Sequence, residues 1–412
     1  MNAYNTLDDF NFENKTILLR VDFNMPLDKK TFEILDTTRI KLVLPTIQEL
    51  LKKNTKIVIL AHQGRKGSWD FISLERHAKA LQELLGKKVT FIDDIFGEKA
   101  TKAIKTLENG QILMLDNVRK FPEETEKKSA EEHAQSELVQ TLYPLADIFV
   151  NDAFAAAHRD QCSLIGFTAV LPSYAGRLME KELVTLEKVV QNPEKPNIML
   201  FGGAKFSDVI VTIDRLLSNN TADKIILTGM PANAFYKALG IDLGEKTESL
   251  LLEEGKPEQF QEIQTVMNKY KDRILLPVDF AIEENNQRKE LTVNDLPSEK
   301  NLFDIGEKSI ELFKETLQQA KTVFLSGPCG VFEHPLFKKG TEEIFRFVAD
   351  LDAFSIVGGG HTVAAIEQLK LRQKISHIST GGGSLEKFMM GEKLVVVEAL
   401  KNAKKREVVK LN

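Results

Sequence analysis

Short apolar runs rich in β-branched residues alternate with amphipathic stretches along the whole chain. The clearest strand candidates are Thr16–Val21, Lys56–Leu60, Gln111–Leu115, Ile148–Val150, Asn197–Phe201, Lys224–Leu227, Ile274–Pro277, Thr322–Leu325 and Phe354–Val357. Helical patterns lie between them, at Arg39–Lys52, Leu74–Leu85, Ala130–Tyr143, Gly176–Val190, Asp208–Leu217 and Gly340–Ala349. Strand alternating with helix predicts parallel sheets that helices cover on both faces. Since no strand-rich or helix-rich block interrupts the alternation, we expect an α/β fold throughout.

The number of strands and one proline-containing segment predict two domains. Nine or more strands would make an unusually large open sheet, so we expect two sheets. The polar segment Gln191–Pro196 follows a long helical pattern and contains two prolines, which is typical of a hinge. We therefore predict two doubly wound parallel-sheet domains joined by this hinge, with the substrate cleft between them. The basic, partly amphipathic stretch Glu392–Asn412 predicts a terminal helix with a solvated face.

Composition excludes several classes of protein. The 412 residues carry a formal net charge of −5, which argues against a nucleic-acid-binding surface. The two cysteines, Cys162 and Cys329, are far apart in sequence. This argues against a disulfide framework or a zinc site and favours a reducing cytoplasm. The polar, acidic N-terminus is unlike a signal peptide, and no apolar run approaches the roughly 18 residues that span a membrane.

Charged side chains follow four of the predicted strands in the first half. They are Asp22 and Asn24, His62 and Arg65, Arg119, and His158 and Arg159. Ligands of open parallel sheets bind outside the carboxyl ends of the strands, so these groups should meet in one crevice. For any one arginine taken alone, a surface ion pair is the better explanation. Together they predict a site for a small, multiply negative ligand.

Five glycine-rich turns mark the second half. They lie at residues 202–205, 228–230, 326–333, 358–362 and 379–384. Glycine lets the backbone approach a ligand closely, and a helix N-terminus offers free N–H groups to phosphate. One such turn can serve tight βα geometry alone, but five favour a nucleotide site with Lys205 as a mobile charge near the terminal phosphate. Neither a P-loop nor a dinucleotide-binding glycine motif is present.

The ordered motifs of the whole chain resemble those of the phosphoglycerate kinase family, in particular its archaeal branch. The matching segments are Arg20–Asn24, Arg39–Ile40, His62–Arg65, Asn117–Arg119, Val150–Arg159, Leu178–Leu183, Gly202–Lys205, Leu276–Asp279, Asp304–Gly306, Gly327–Glu333, Gly358–Thr362 and Ser379–Gly383. The resemblance implies a monomeric, cytoplasmic, hinge-bending enzyme of glycolysis and gluconeogenesis. It would transfer phosphate reversibly between 1,3-bisphosphoglycerate and ADP, giving 3-phosphoglycerate and ATP, with Mg²⁺ carried on the nucleotide.

The resemblance also implies a role for each half of the chain. Residues 1–185 would bind 3-phosphoglycerate, 186–196 would form the hinge, 197–396 would bind the nucleotide, and 397–412 would return to the N-terminal domain. The implied substrate-binding residues are Asp22, Phe23, Asn24, Arg39, His62, Gln63, Gly64, Arg65, Arg119 and Arg159. The implied nucleotide-binding residues are Gly202, Gly203, Ala204, Lys205, Gly229, Pro328, Glu333, Gly359, Gly360, His361 and Thr362. Arg39 and Lys205 would be catalytic, acting on the transferring phosphoryl group from the two domains, which must close to exclude water.

Three positions depart from the pattern of many family members. His361 stands where an aspartate usually contacts Mg²⁺, Val209 replaces a second lysine, and Leu325-Ser326 replaces Trp-Asn. We therefore expect no metal ligand from the protein and a phosphate-binding role for His361. Two alternatives stay open: an acyl-phosphate kinase for a different small acid, and a non-catalytic nucleotide-binding protein.

Overall fold

The computed structural model describes residues 3–190 and 192–411, and within them the chain forms two compact units. The first unit runs to Val184 and includes the chain from Lys393 onward, and the second is Thr185–Glu392. The predicted limits, after residues 185 and 396, lie one and four residues beyond those of the two units. The function of each unit stays a prediction. Residue 191, which is part of the predicted hinge 186–196, lies outside the described residues.

The first unit is built on a six-stranded sheet whose strands are all parallel. The strands are β1 (Thr16–Val21), β2 (Lys56–Leu60), β3 (Val89–Ile92), β4 (Ile112–Leu115), β5 (Ile148–Asp152) and β6 (Ser173–Ala175). Their order is β3-β4-β2-β1-β5-β6. The chain fills one side of β1 before it crosses to β5, so the winding direction reverses between these two strands. A crevice outside their carboxyl ends is the expected ligand site of such a sheet.

Helices cover both faces of this sheet. They are α1 (Thr38–Lys52), α2 (Glu75–Leu85), α3 (Glu98–Lys105), α4 (Ala130–His133), α5 (Glu137–Leu142), α6 (Cys162–Ile165) and α7 (Arg177–Val190). Successive residues of β1 enter opposite cores, since Ile17 and Leu19 pack in one buried cluster and Leu18 in the other. Helix α1 packs into the first cluster through residues spaced three or four apart, Ile40, Val43, Ile47 and Leu50.

The second unit contains a second parallel sheet and a smaller antiparallel one. Its strands are β7 (Asn197–Phe201), β8 (Lys224–Leu227), β9 (Ile274–Leu275), β10 (Asp279–Glu284), β11 (Gln287–Thr292), β12 (Asp304–Ile305), β13 (Thr322–Ser326), β14 (Phe354–Gly358) and β15 (His377–Ile378). The parallel sheet has the order β15-β14-β13-β7-β8-β9, and its winding reverses between β7 and β13. Strands β11-β10-β12 form the antiparallel sheet.

Eight helices of the second unit surround these sheets, and a last helix follows them. They are α8 (Ser207–Ser218), α9 (Gly229–Ala238), α10 (Glu245–Glu254), α11 (Pro257–Tyr270), α12 (Glu307–Leu317), α13 (Lys339–Asp350), α14 (Gly360–Gln368), α15 (Gly382–Met389) and α16 (Val395–Leu411). Helix α16 belongs to the first unit, where the Val396 N–H donates to the Ala157 carbonyl at 3.1 Å. Among the described helices none is long and apolar enough to cross a membrane.

The predicted strands are all present, but two predictions about the pattern are wrong. The helix predicted over Ala130–Tyr143 is two helices, because the Ser136 hydroxyl accepts a hydrogen bond from the Val139 N–H and caps a new helix. The expectation that no strand-rich block interrupts the alternation fails at β9–β12, which follow one another with no α-helix between them. Within this block β10 and β11 form a hairpin. Asn285 and Asn286 both have positive φ between these strands, as a tight hairpin turn of type I′ requires.

Candidate active site

The basic groups of the first unit follow the carboxyl ends of β1, β2, β4 and β5, at and next to the reversal in winding. Asp22 follows β1 and pairs with Arg39, the second residue of α1, at 2.6 Å. Burial opposes ionisation of Asp22, but Arg39, the Asn24 backbone N–H and Arg20 together hold its pKa well below the usual range. Asp22 is therefore a carboxylate that orients Arg39, whose side chain stays 34% exposed.

The turn after β2 connects Asn24 to Arg119. The Gly64 N–H donates to Asn24 Oδ1 at 2.9 Å, and its carbonyl accepts from Arg119 Nη1. Gly64 has a φ of +65°, and a Cβ there would lie 2.4 Å from the Asp70 carbonyl oxygen. A side chain at position 64 would therefore displace this turn.

Arg119 is buried without enough acceptors for its charge. It is 6% exposed, and its Nε has no hydrogen-bond partner among the described residues. Burial, together with the charges of Arg159 and Arg20, lowers the pKa of Arg119 to about 10, and Glu124 and Asp22 only partly oppose this. A buried guanidinium with an unused donor and like-charged neighbours favours an anionic ligand.

Arg159 and Arg65 extend the positive charge toward solvent. Burial lowers the pKa of Arg159, with Arg65 and Arg39 acting in the same direction and Asp22 against it. The Arg159 Nε donates to the His158 ring at 3.3 Å. Arg65 is exposed, and its guanidinium has no hydrogen bond or ion pair within the part of the chain that the structure describes. The four arginines at positions 39, 65, 119 and 159 therefore outnumber the two carboxylates that act on them, Asp22 and Glu124.

Two predicted substrate residues have side chains that are already engaged in the protein. Phe23 is fully buried in the core of the first unit. The Gln63 amide bonds both the N–H and the carbonyl of Met25, at 2.8 and 3.1 Å, and its oxygen also lies 3.0 Å from His77 Nε2. Gln63 thus holds the segment that carries Asp22 and Asn24.

The glycine-rich turns of the second unit meet at the ends of β7, β8 and β13. The Gly203 N–H donates to the Pro328 carbonyl at 2.8 Å, and the Gly203 carbonyl accepts from Met230 at 2.9 Å. A Cβ on Gly202 would lie 2.3 Å from the Pro328 carbonyl oxygen, and one on Gly327 would lie 2.1 Å from the Gly202 carbonyl oxygen. These contacts require glycine, since the three backbones touch one another.

Helix α14 begins beside the same turns. The N–H groups of residues 360–362 have no acceptor among the described residues, and the Thr362 hydroxyl instead accepts from the Gly327 N–H at 2.7 Å. His361 is exposed, with its Nδ1 3.5 Å from the Glu333 carboxylate. A Cβ on Gly360 would meet nothing within 4 Å, so this end of the helix is open.

Ala204 and Lys205 are exposed in the turn that leads into α8. No hydrogen bond or ion pair joins the Lys205 ammonium to another described residue, although its charge lowers the pKa of Glu386 against the larger effect of burial. The predicted nucleotide residues at 202, 203, 229, 328 and 362 therefore lie in one cluster of contacts together with Gly327, whereas the Lys205 ammonium bonds none of them.

The whole chain matches one family. The sequence model of the family described as "Phosphoglycerate kinase" matches residues 7–392. The chain belongs to the phosphoglycerate kinase family. It is 46% identical to the phosphoglycerate kinase of Methanobacterium bryantii, over 97% of each chain, and 42% identical to that of Methanothermus fervidus, over 98% of this chain and 99% of the relative.

Solved structures of phosphoglycerate kinases share the fold. The crystal structure from Pyrococcus horikoshii OT3 has a TM-score of 0.90 and 38% identity, and it covers 97% of this chain and 99% of its own. The structure from Coxiella burnetii has a TM-score of 0.83 and 32% identity over the same shares of the two chains. The predicted resemblance to this family and to its archaeal branch is confirmed.

Sequence reasoning missed two residues beneath the basic site. Arg20 and Glu124 are fully buried, and each bonds Ser163. Arg20 was visible only as part of the Arg20–Asn24 motif. The burial of Glu124 could not be predicted, because the charged segment that follows Arg119 has the composition of a solvent-exposed loop.

Proposed function

We propose that the chain catalyses reversible phosphoryl transfer between 1,3-bisphosphoglycerate and ADP, giving 3-phosphoglycerate and ATP. The observation that carries the proposal is the excess of arginine over carboxylate at the β1–β5 crevice in a member of the phosphoglycerate kinase family. Arg119 supports it further, because its unpaired, buried Nε needs an anionic partner.

We assign the substrate contacts by chemistry. Arg65, Arg119 and Arg159 would bind the 3-phosphate through paired N–H donors, a geometry that suits tetrahedral oxyanions. Asn24 would bind the hydroxyl group, because its Oδ1 is held by the Gly64 N–H while its amide nitrogen has no acceptor among the described residues. Asp22 would accept from the same hydroxyl and keep Arg39 aimed at the carboxyl group that takes the phosphoryl group.

The nucleotide would bind at the turns of the second unit. The close backbone contacts of Gly202, Gly203 and Gly327 leave no side chain between the ligand and the sheet end. The free N–H groups at the start of α14 would bind phosphate oxygens. Lys205 and Arg39 would stabilise the charge that spreads over the equatorial oxygens during transfer.

Mg²⁺ would arrive on the nucleotide and neutralise phosphate charge. His361 and Glu333 are the exposed polar side chains at that end of α14, and imidazole is a poor ligand for Mg²⁺. Among the described residues no group of three His, Cys, Asp or Glu side chains could hold a metal, which fits a metal held by phosphate and water. We further propose that the enzyme is a cytoplasmic monomer, and its two free, buried cysteines suit a reducing compartment.

A coupled assay tests the proposal and both alternatives. The purified chain is given MgATP with 3-phosphoglycerate, glycerate or acetate, and acid-dependent ADP formation is coupled to NADH oxidation. We expect turnover with 3-phosphoglycerate alone. Turnover with acetate or glycerate would favour a different acyl-phosphate kinase, and no turnover with any acid would favour a non-catalytic nucleotide-binding protein.

A further inference from the structure

A buried chain of polar groups beneath the basic site connects Glu124 to His62. Glu124 accepts hydrogen bonds from the Ser163 N–H at 2.8 Å and from the Ser163 hydroxyl at 2.7 Å. The same hydroxyl accepts from Arg20 Nε at 2.8 Å, and Arg20 Nη2 lies 3.0 Å from His62 Nδ1. Glu124, Ser163 and Arg20 are fully buried, and His62 is 1% exposed. Two opposite charges are thus held inside the protein, which is costly unless each is fully hydrogen-bonded.

The donor in the Arg20–His62 contact is fixed by chemistry. A guanidinium has N–H donors and no acceptor, so His62 Nδ1 must offer its lone pair. The proton of a neutral imidazole is then on Nε2. The Nε2 atom has no protein partner among the described residues, so its N–H is available to a ligand.

The surroundings of His62 also disfavour its protonation. Burial and the charges of Arg20, Arg119 and Arg159 lower the pKa of His62 well below its ordinary value, although Asp22 acts in the opposite direction. An imidazolium would place two donors face to face at the Arg20 contact. The neutral form is therefore favoured by both the hydrogen bond and the charges.

We propose that Arg20 and Glu124 are positioning residues that hold His62 as a neutral imidazole with its proton on Nε2. In this form His62 donates one hydrogen bond to an oxyanion of the substrate, and the donation does not vary with pH across the physiological range. Ser163, held by Glu124, and the Val21 carbonyl, which accepts from Arg20 Nη1, fix the Arg20 side chain, and Arg20 fixes the histidine. The identity of the oxyanion rests on the proposed function, but the state of His62 in the free protein does not.

Nuclear magnetic resonance of the free, full-length protein tests the state of His62 directly. Histidine side chains are labelled with ¹⁵N, long-range ¹H–¹⁵N spectra are recorded from pH 5.5 to 8, and the His62 signals are assigned by their loss in His62→Gln. We expect the Nε2–H tautomer with no protonation across this range. A proton on Nδ1, or a protonation midpoint near 6.5, would overturn the proposal. Absence of activity with 3-phosphoglycerate would sink the proposed function and leave this result standing.

Substitutions test whether the state of His62 depends on the buried chain. Ser163→Ala breaks the link, and Arg20→Met with Glu124→Gln removes both charges at once, so that neither is left unpaired. We expect mixed tautomers and a rise of about tenfold in KM for 3-phosphoglycerate, as for one lost hydrogen bond. KM for ATP should change less than about twofold, and Ser163→Thr should restore the wild-type tautomer.

Ser173→Ala is the matched control for Ser163→Ala. Ser173→Ala removes another fully buried hydroxyl of the first unit, one that donates to the Leu171 carbonyl at 2.9 Å, and it should leave His62 and both Michaelis constants unchanged. A folded Ser163→Ala protein with the wild-type tautomer would contradict the positioning role. If every variant at positions 20, 124 and 163 fails to fold, the spectrum of the wild-type protein still shows which nitrogen of His62 carries the proton.

Discussion

Replacing Arg119 by methionine should raise the stability of the free protein and weaken its binding of 3-phosphoglycerate. The side chain is 6% exposed, donates to the Gly64 carbonyl and lies in the field of Arg159 and Arg20. Methionine keeps most of the volume and removes the charge. The substitution therefore separates what Arg119 contributes to folding from what it contributes to ligand binding.

The expected gain in stability follows from the lowered pKa. The pKa of Arg119 falls to about 10, and each tenfold change in a protonation equilibrium corresponds to about 1.4 kcal/mol. This sets an upper limit of about 3 kcal/mol on the cost of the charge in the fold. Loss of the Gly64 hydrogen bond, worth about 1 kcal/mol, and partial solvent screening reduce the net gain to about 1 kcal/mol, or about 2–4 °C in Tm.

The expected loss of affinity comes from the phosphate contact. Charge-assisted hydrogen bonds are worth about 1.5–3 kcal/mol each, so the dissociation constant for 3-phosphoglycerate should rise about 10- to 150-fold. Calorimetric titration of 3-phosphoglycerate and of ATP, with thermal denaturation in the absence of ligand, measures all three quantities. The control is Arg76→Met, which removes an exposed arginine paired with Glu33 in the same unit. A fall in Tm of several degrees, or equal weakening of both ligands, would refute the reasoning.

Three further substitutions test separate parts of the account. Arg39→Ala should lower turnover by about 10³-fold and leave the dissociation constant for ATP within about twofold, because its charge acts on the transferring group; turnover within threefold of wild type would reject that role. His361→Ala should raise KM for MgATP about three- to tenfold in steady-state assays, with the Mg²⁺ requirement intact, and an unchanged KM would reject the phosphate contact. Burial lowers the pKa of His77 to about 4, so the unfolded chain binds an extra proton between about pH 6.5 and 4 and stability falls as the pH falls. Urea denaturation of His77→Gln at pH 6.5, 5.5 and 4.5 should show a shallower loss than wild type, and parallel losses would contradict this assignment.

The parallel sheets were predictable because their central strands are buried on both faces. Strands β1, β2, β7 and β8 begin and end where the apolar runs do. The edge strands β3, β6 and β15 were missed, since β3 is partly exposed and β6 and β15 have three and two residues, too few for a recognisable run. The antiparallel sheet was missed because β11 (Gln287–Thr292) is polar and has no apolar run. The Asn285-Asn286 pair was the one local signal of a hairpin turn.

The positions of the site loops could be predicted from the sequence, but the state of each group could not. Strand ends and glycine turns located Asp22, Arg119 and Gly203 correctly with respect to the sheets. Whether a side chain faces a ligand or the protein depends on packing between distant segments. Gln63 shows this, since its amide is hydrogen-bonded to Met25 and His77. Neither contact could be predicted from the His62–Arg65 motif.

The central claim is that this chain moves a phosphoryl group from ATP to the carboxyl group of 3-phosphoglycerate. Phosphorus NMR of one reaction mixture, holding the purified chain, MgATP and 3-phosphoglycerate, follows both substrates at once when hydrazine traps the acyl phosphate. We predict that ATP and 3-phosphoglycerate disappear in equal amounts and that omission of 3-phosphoglycerate stops ATP loss. ATP loss at the same rate without 3-phosphoglycerate, or no loss of either compound, would contradict the account.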